Sequence, residues 1–141
     1  SRLVIEGRRV GSAAWGSGEV RVGVESEAAV ARPKYIYLAG PMAKPDLITN
    51  ARLAIEAASR LVDAGFVPYL PQTGLLWELH RPRSYEDWMA LDFAWIERCD
   101  ALVRLRGESP GADRECVHAA THGKPVWHWP DFEQVFLGAP L

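Results

Sequence analysis

The chain has 141 residues, 48% of them hydrophobic and 24% charged, which is the size and make-up of one globular domain able to bury its own core. A formal net charge of −2 gives no electrostatic footing for nucleic acid or an anionic membrane surface, and no apolar run nears the roughly 20 residues that span a bilayer. Cys99 and Cys116 lack the dense spacing of a secreted disulfide scaffold, and Arg8 and Arg9 interrupt what would otherwise be a signal-like start, so a soluble cytoplasmic protein is expected.

The chain divides near Arg32-Pro33 into an extension, residues 1–32, and an α/β domain, residues 33–141. In the extension, Val20, Val22 and Val24 alternate with Glu19, Arg21, Gly23 and Glu25, the period of a half-buried strand, and Leu3 to Val10 can be its hairpin partner. Ile5-Glu6-Gly7-Arg8 also resembles a protease recognition sequence, and no function is assigned to this segment.

From Lys34 the pattern sharpens. Tyr35 to Ala39, closed by Gly40-Pro41, reads as a buried strand and a turn. A helix is expected from Leu47 to Ala64, with Ile48, Ala51, Ile55 and Val62 on its inward face and Gly65 as its stop. Phe66 to Leu70 is a second strand, and Pro71-Gln72-Thr73-Gly74 opens a long loop. Ser84-Tyr85-Glu86-Asp87 is a capping-box type start for a helix reaching about Arg98. Ala101 to Leu105 is a third strand, Gly107 to Gly111 a loop leading into a helix that ends near Gly123, and Val126 to Trp129 a fourth strand before a short tail. Strands alternating with helices over such short connections predict a parallel, doubly wound sheet.

Two carboxylates break the apolar pattern. Asp92 falls inside the stripe Trp88, Leu91, Trp95 and Ile96, and Glu115 lies on the same side of its helix as Ala112, Cys116, Ala119 and Gly123. A carboxylate pressed toward a core costs several kcal/mol unless paired or hydrogen-bonded. One explanation is that each merely caps a loop or pairs with Arg104 or Arg114. The other is chemical. Ligands of open α/β sheets bind at the carboxyl ends of the strands, where these helices begin. There the helix dipole favours an ionised Glu115 suited to be a nucleophile, with Asp92 as a hydrogen-bonding or acid–base partner. Ser109 and Gly111 in the loop before Glu115 read as a helix cap with Pro110 at the first position, and equally as an anion site; the two roles are compatible. His118 and His122 stand four apart on the same helix as Glu115, a spacing that can bind zinc, but without the His-Glu-x-x-His order; solvated or capping histidines are favoured and no metal site is assigned.

Tyr37-Leu38-Ala39-Gly40, Asp92-x-x-Trp95 followed by Cys99-Asp100, Ser109-x-Gly111-x-x-x-Glu115 and Gly123-Lys124-Pro125 together resemble, in order and from about Lys34 to Trp129, the nucleoside 2-deoxyribosyltransferase superfamily, which includes 2′-deoxynucleoside 5′-monophosphate N-hydrolases. The resemblance implies a flavodoxin-like (Rossmann-like) single domain with a parallel sheet of about four or five strands flanked by helices. It implies cleavage of an N-glycosidic bond, by hydrolysis or base exchange, on a small nucleotide or nucleoside, with no cofactor and as a homodimer. Carried over by position, Glu115 matches the nucleophile, Asp92 the carboxylate assisting the leaving base, and Tyr37 the hydroxyl orienting the nucleophile. Ser109 matches the serine of the monophosphate hydrolases and favours a nucleotide, whereas Pro41 stands where those enzymes have a further serine. Gly40, Gln72, Trp88, Ser109 and Gly111 are the candidate substrate-binding residues: Gln72 is placed to meet a base edge, and Trp88, with Trp77, to stack on a base. Trp95 is expected in the core or an interface, and Asp100, at the far end of its strand, is read as structural. A non-catalytic nucleotide-binding module remains the alternative from another class.

Overall fold

Four parallel strands carry the sheet: β1 (Tyr35–Ala39), β2 (Val67–Tyr69), β3 (Ala101–Arg104) and β4 (Val126–His128), in the order β2-β1-β3-β4. The computed structural model describes residues 31–138, so the hairpin expected from Leu3 to Glu25 lies outside the described residues. From β1 the chain moves outward to β2, then crosses back to β3 on the other side of β1. β1 and β3 therefore meet where the winding reverses, the position at which open α/β sheets form their crevice.

Five helices flank this sheet: α1 (Leu47–Asp63), α2 (Leu75–His80), α3 (Tyr85–Arg98), α4 (Pro110–Thr121) and α5 (Trp129–Phe132). Side chains alternate along each strand, which divides the core in two. Tyr37 and Ala39 of β1 join Leu102 and Val126 against Ile96 and Cys99 of the α3 end and Ala112, Cys116 and Ala119 of α4. Ile36 and Leu38 join Val103 and Trp127 on the opposite face, against Ala57, Ala58 and Leu61 of α1 and Trp129 and Phe132 of α5. Among the described residues no helix is long and apolar enough to cross a membrane.

The expected strands and long helices are present within a residue or two, and three details differ. First, α1 buries Ala54, Ala57, Ala58 and Leu61, while Ile48, Ile55 and Val62 of the expected inward face are exposed. Small side chains let the helix lie close on the sheet, so the larger aliphatics point outward. Second, the long loop after β2 contains a 3-10 turn (Pro71–Gly74) and α2, whose Leu76 and Leu79 are exposed. With no residue of α2 buried, it leaves no inward stripe to read. Third, the tail is part of the core. A π turn (Glu133–Leu137) continues α5, Phe132 is fully buried against Phe66, and Glu133 is ion-paired with Arg60.

Asp100 has the structural role expected of it. Its Oδ2 accepts from the backbone N–H groups of Lys34 and Tyr35, both at 2.9 Å, and holds the start of β1 against the start of β3. These bonds keep its carboxyl below the ordinary range. Asp100→Ala is expected to lower stability at neutral pH by about 1 kcal/mol, the worth of a typical net hydrogen bond. Because the folded form has the lower pKa, the difference between wild type and variant will shrink as pH falls through it; urea melts at neutral and acid pH check both points.

Candidate active site

The two misplaced carboxylates converge. Asp92 comes from the middle of α3 and Glu115 from the second turn of α4, and both are buried, at 7% and 5% exposure. α3 starts where Ser84 accepts from the Asp87 N–H, and α4 where Ser109 accepts from the Ala112 N–H at 3.1 Å. These two caps fix where each helix begins, and so which side chain of each faces the sheet. Tyr37, fully buried on β1, donates its hydroxyl to Glu115 Oε2 at 3.0 Å, and Asp92 lies near enough to both groups to interact electrostatically with them.

Electrostatics follow from this enclosure. Burial raises the pKa of Glu115 well above the ordinary carboxylate value, and the Asp92 charge pushes it further; the Tyr37 hydroxyl and the Arg104 guanidinium act the other way. Burial also raises the Asp92 pKa, opposed by its interactions with the neighbouring Glu115 and Tyr37. Two carboxyls in contact in a low dielectric cannot both ionise cheaply, so the pair titrates as a unit. Tyr37 is itself pushed up by burial and by the two carboxylates, and stays a neutral donor. The arginine pairings considered from sequence are not used by these acids. Arg104 binds Asp113, and Arg114 binds Glu86.

The candidate binding residues line the carboxyl edge above this trio. Gly40 ends β1, where a Cβ would meet Leu105 at 3.1 Å and Gln72 Nε2 at 3.4 Å. Gln72, in the turn after β2, is 3% exposed, and neither of its amide atoms has a hydrogen-bond partner among the described residues. Gly111 lies under the Tyr85 hydroxyl, 3.3 Å from where its Cβ would be. The Ser109 oxygen caps α4, which leaves the hydroxyl hydrogen available to donate. Trp88 is engaged elsewhere. Its indole N–H donates to Glu78 and its ring packs edge-on against Trp77 at 5.1 Å, so it forms part of the wall built with α2.

Arg104, considered from sequence only as a partner of the buried acids, has a different place. It is 8% exposed, binds Asp113 Oδ1 and donates to the carbonyls of Leu105 and Gly107, which anchors the loop before α4. A charged residue ending an otherwise apolar strand was the available signal. Gly107 in that loop has φ +112°, and a Cβ there would lie 2.7 Å from Pro41; the loop packs directly on the proline that stands in place of a serine. Tyr69 was missed. It stacks on half-exposed Trp95 at 5.0 Å and lies 5.6 Å from Tyr37, which places Trp95 at the outer end of an aromatic row rather than inside the core.

If the trio is catalytic, removing the Tyr37 hydroxyl is expected to lower turnover, and with it the stability that the same buried bond gives the folded state. Tyr37→Phe keeps the ring and removes one hydrogen bond to a carboxylate, worth about 1.5–3 kcal/mol, or roughly 10–100-fold in kcat. Steady-state kinetics and a thermal melt read the two effects separately.

A four-stranded parallel sheet with order 2-1-3-4 and helices on both faces is a fold shared with solved 2-deoxyribosyltransferases. Similar solved structures are a 2-desoxiribosyltransferase from Leishmania mexicana, with 21% identity and a TM-score of 0.52 over 68% of this chain and 63% of that one, and a 2-deoxyribosyltransferase from Bacillus psychrosaccharolyticus, with 24% identity and a TM-score of 0.50 over 65% of this chain and 69% of that one. The alignment thus spans less than two thirds of the Leishmania protein. No curated protein matches the chain. Residues 34–128 match the family described as a domain of unknown function, DUF4406, and the chain belongs to that family.

Proposed function

We propose that this chain is an N-glycosidase that hydrolyses a (deoxy)nucleoside 5′-monophosphate to free base and sugar phosphate. The observation that carries the reading is the buried Tyr37–Glu115–Asp92 trio, two carboxyls with raised pKa values and a neutral phenol donor under the switch point of the sheet. Perturbed acids gathered at such a place are the usual mark of acid–base and nucleophilic chemistry.

In the proposed first step the pair holds one proton, which rests on the more deeply buried Glu115 in the free protein and passes to Asp92 as substrate binds, leaving Glu115 the carboxylate. A Glu115 oxygen attacks C1′ of the sugar, the C1′–N bond breaks, and its electron pair leaves with the base, which takes the proton from Asp92. In the second step Asp92, now a carboxylate, removes a proton from water. The water oxygen bonds to C1′, the ester bond to Glu115 breaks, and the starting acids are restored. Each displacement inverts C1′, as in retaining glycosidases. Tyr37 supports the charge on Glu115 before attack and as it leaves.

Gln72 is proposed to read the base edge, and the Ser109 hydroxyl, with the Gly111 N–H at the start of α4, to hold the 5′-phosphate. Base exchange uses the same first step, with a second base in place of water. The likeness in fold to two deoxyribosyltransferases supports that reading of the chemistry. The test is chromatographic detection of free base from a panel of ribo- and deoxynucleoside monophosphates, then from nucleosides with an acceptor base. Release from monophosphates alone supports the hydrolase. Release only with an acceptor supports the transferase. Saturable binding without release would overturn both and leave a binding module.

A further inference from the structure

We infer that Glu97, His118 and His122 form a site for one divalent transition-metal ion of the zinc class, on the outer side of the seam between α3 and α4. The sequence grouped the two histidines with Glu115, but Glu115 faces the core, and the carboxylate that reaches them is Glu97 from α3. Its Oε2 lies 2.7 Å from His118 Nε2 and 3.6 Å from His122 Nε2, and one ligand atom of each residue falls within 4.8 Å of the others. Tetrahedral zinc with bonds of about 2.0–2.1 Å keeps its ligand atoms roughly 3.3–3.5 Å apart. The His122 contact already has that spacing, and the His118 contact needs only a small opening.

Both imidazoles are held in orientation by groups other than the carboxylate. His122 Nδ1 lies 2.9 Å from the His118 carbonyl oxygen, so the tautomer that donates there leaves the Nε2 lone pair toward Glu97. Such a backbone contact at the second nitrogen is how metal-binding histidines are usually fixed. His118 stacks face to face on Phe93 at 4.1 Å, and the two imidazole rings lie 4.2 Å apart. An open groove of about 560 Å³ along α4 reaches His118, giving a metal and its remaining water ligands a route in. Two imidazoles and one carboxylate favour zinc and its neighbours over magnesium or calcium, which prefer all-oxygen sites. The ion would bridge the two helices that carry Asp92 and Glu115.

The experiment is isothermal titration of the tag-free, EDTA-stripped chain with zinc chloride, and in parallel with magnesium chloride. The expected result is one zinc per chain, no magnesium binding, a zinc-dependent rise in Tm, and at least roughly tenfold weaker zinc binding in Glu97→Gln and in His118→Gln. Circular dichroism will show those surface variants folded, and Glu115→Gln will bind zinc like wild type. Absence of saturable zinc binding would overturn the inference. So would unchanged affinity in His118→Gln/His122→Gln, or loss of binding in Glu115→Gln, which would place the ion elsewhere.

Discussion

Glu115→Gln is expected to abolish base release, by on the order of 10⁴-fold or more in kcat, while the protein remains folded and at least as stable as wild type. The kinetic loss follows from the proposed chemistry. An amide of nearly the same shape occupies the same place but cannot form the glycosyl ester. The gain or constancy in stability follows from burial. The folded-state pKa of Glu115 is raised, so its contribution to stability is fully present below the unfolded value and is lost as pH rises through the folded one. Glutamine removes that dependence. Chemical denaturation over a pH series will show the wild type losing stability across that window and the variant losing less. A variant that keeps its activity would remove Glu115 from the mechanism, whereas one that unfolds would give it a structural task instead.

Gln72→Met is expected to change stability and activity in opposite directions. The amide of Gln72 is buried, and neither of its polar atoms is hydrogen-bonded among the described residues. A buried unsatisfied polar group costs about 1–3 kcal/mol, and methionine has nearly the same length and volume without that penalty. The variant is therefore expected to melt roughly 4–8 °C higher, corresponding to about 1–2 kcal/mol in a domain of this size. If the amide is kept to meet a base edge, kcat/KM falls by about 10–100-fold with the loss of hydrogen bonds made on binding, and discrimination among bases narrows. A stabilised variant with full activity and unchanged base preference would show that the amide does not read the base. A drop in Tm would show that it has a structural partner.

What the sequence disclosed depended on whether a residue's local pattern matched its tertiary position. The β-branched and aromatic runs gave the strands, and Ser84 and Ser109 gave the helix starts, because turn and cap chemistry is local. Asp92 and Glu115 were visible because each is a charge in an apolar stripe, an anomaly that needs no partner to be noticed. The inward face of α1 was misassigned because alanines carry little hydrophobic signal beside Ile48, Ile55 and Val62, yet close approach to a sheet selects the alanines. The core alternative for Trp95 failed for a similar reason: its size marks it as core, but Asp92 takes the centre of α3 and the ring settles on its flank, against Tyr69. The Glu97 contact with the histidines was out of reach, since it depends on how α3 and α4 meet.

The hydrogen bonds from Lys34 and Tyr35 to Asp100 act as an index mark for the buried Tyr37–Glu115–Asp92 trio. Successive strand residues point to opposite faces, so the parity of the count from Tyr35 decides whether a phenol or an aliphatic chain looks toward α3 and α4. One residue inserted between Lys34 and Tyr37 would turn Tyr37 toward α1 and present its neighbour to the acids; two would restore the phase but move the hydroxyl along the strand by about 7 Å. Length variation in relatives of this chain is therefore expected to avoid this short stretch, and a carboxylate far from the trio becomes part of what keeps it in register.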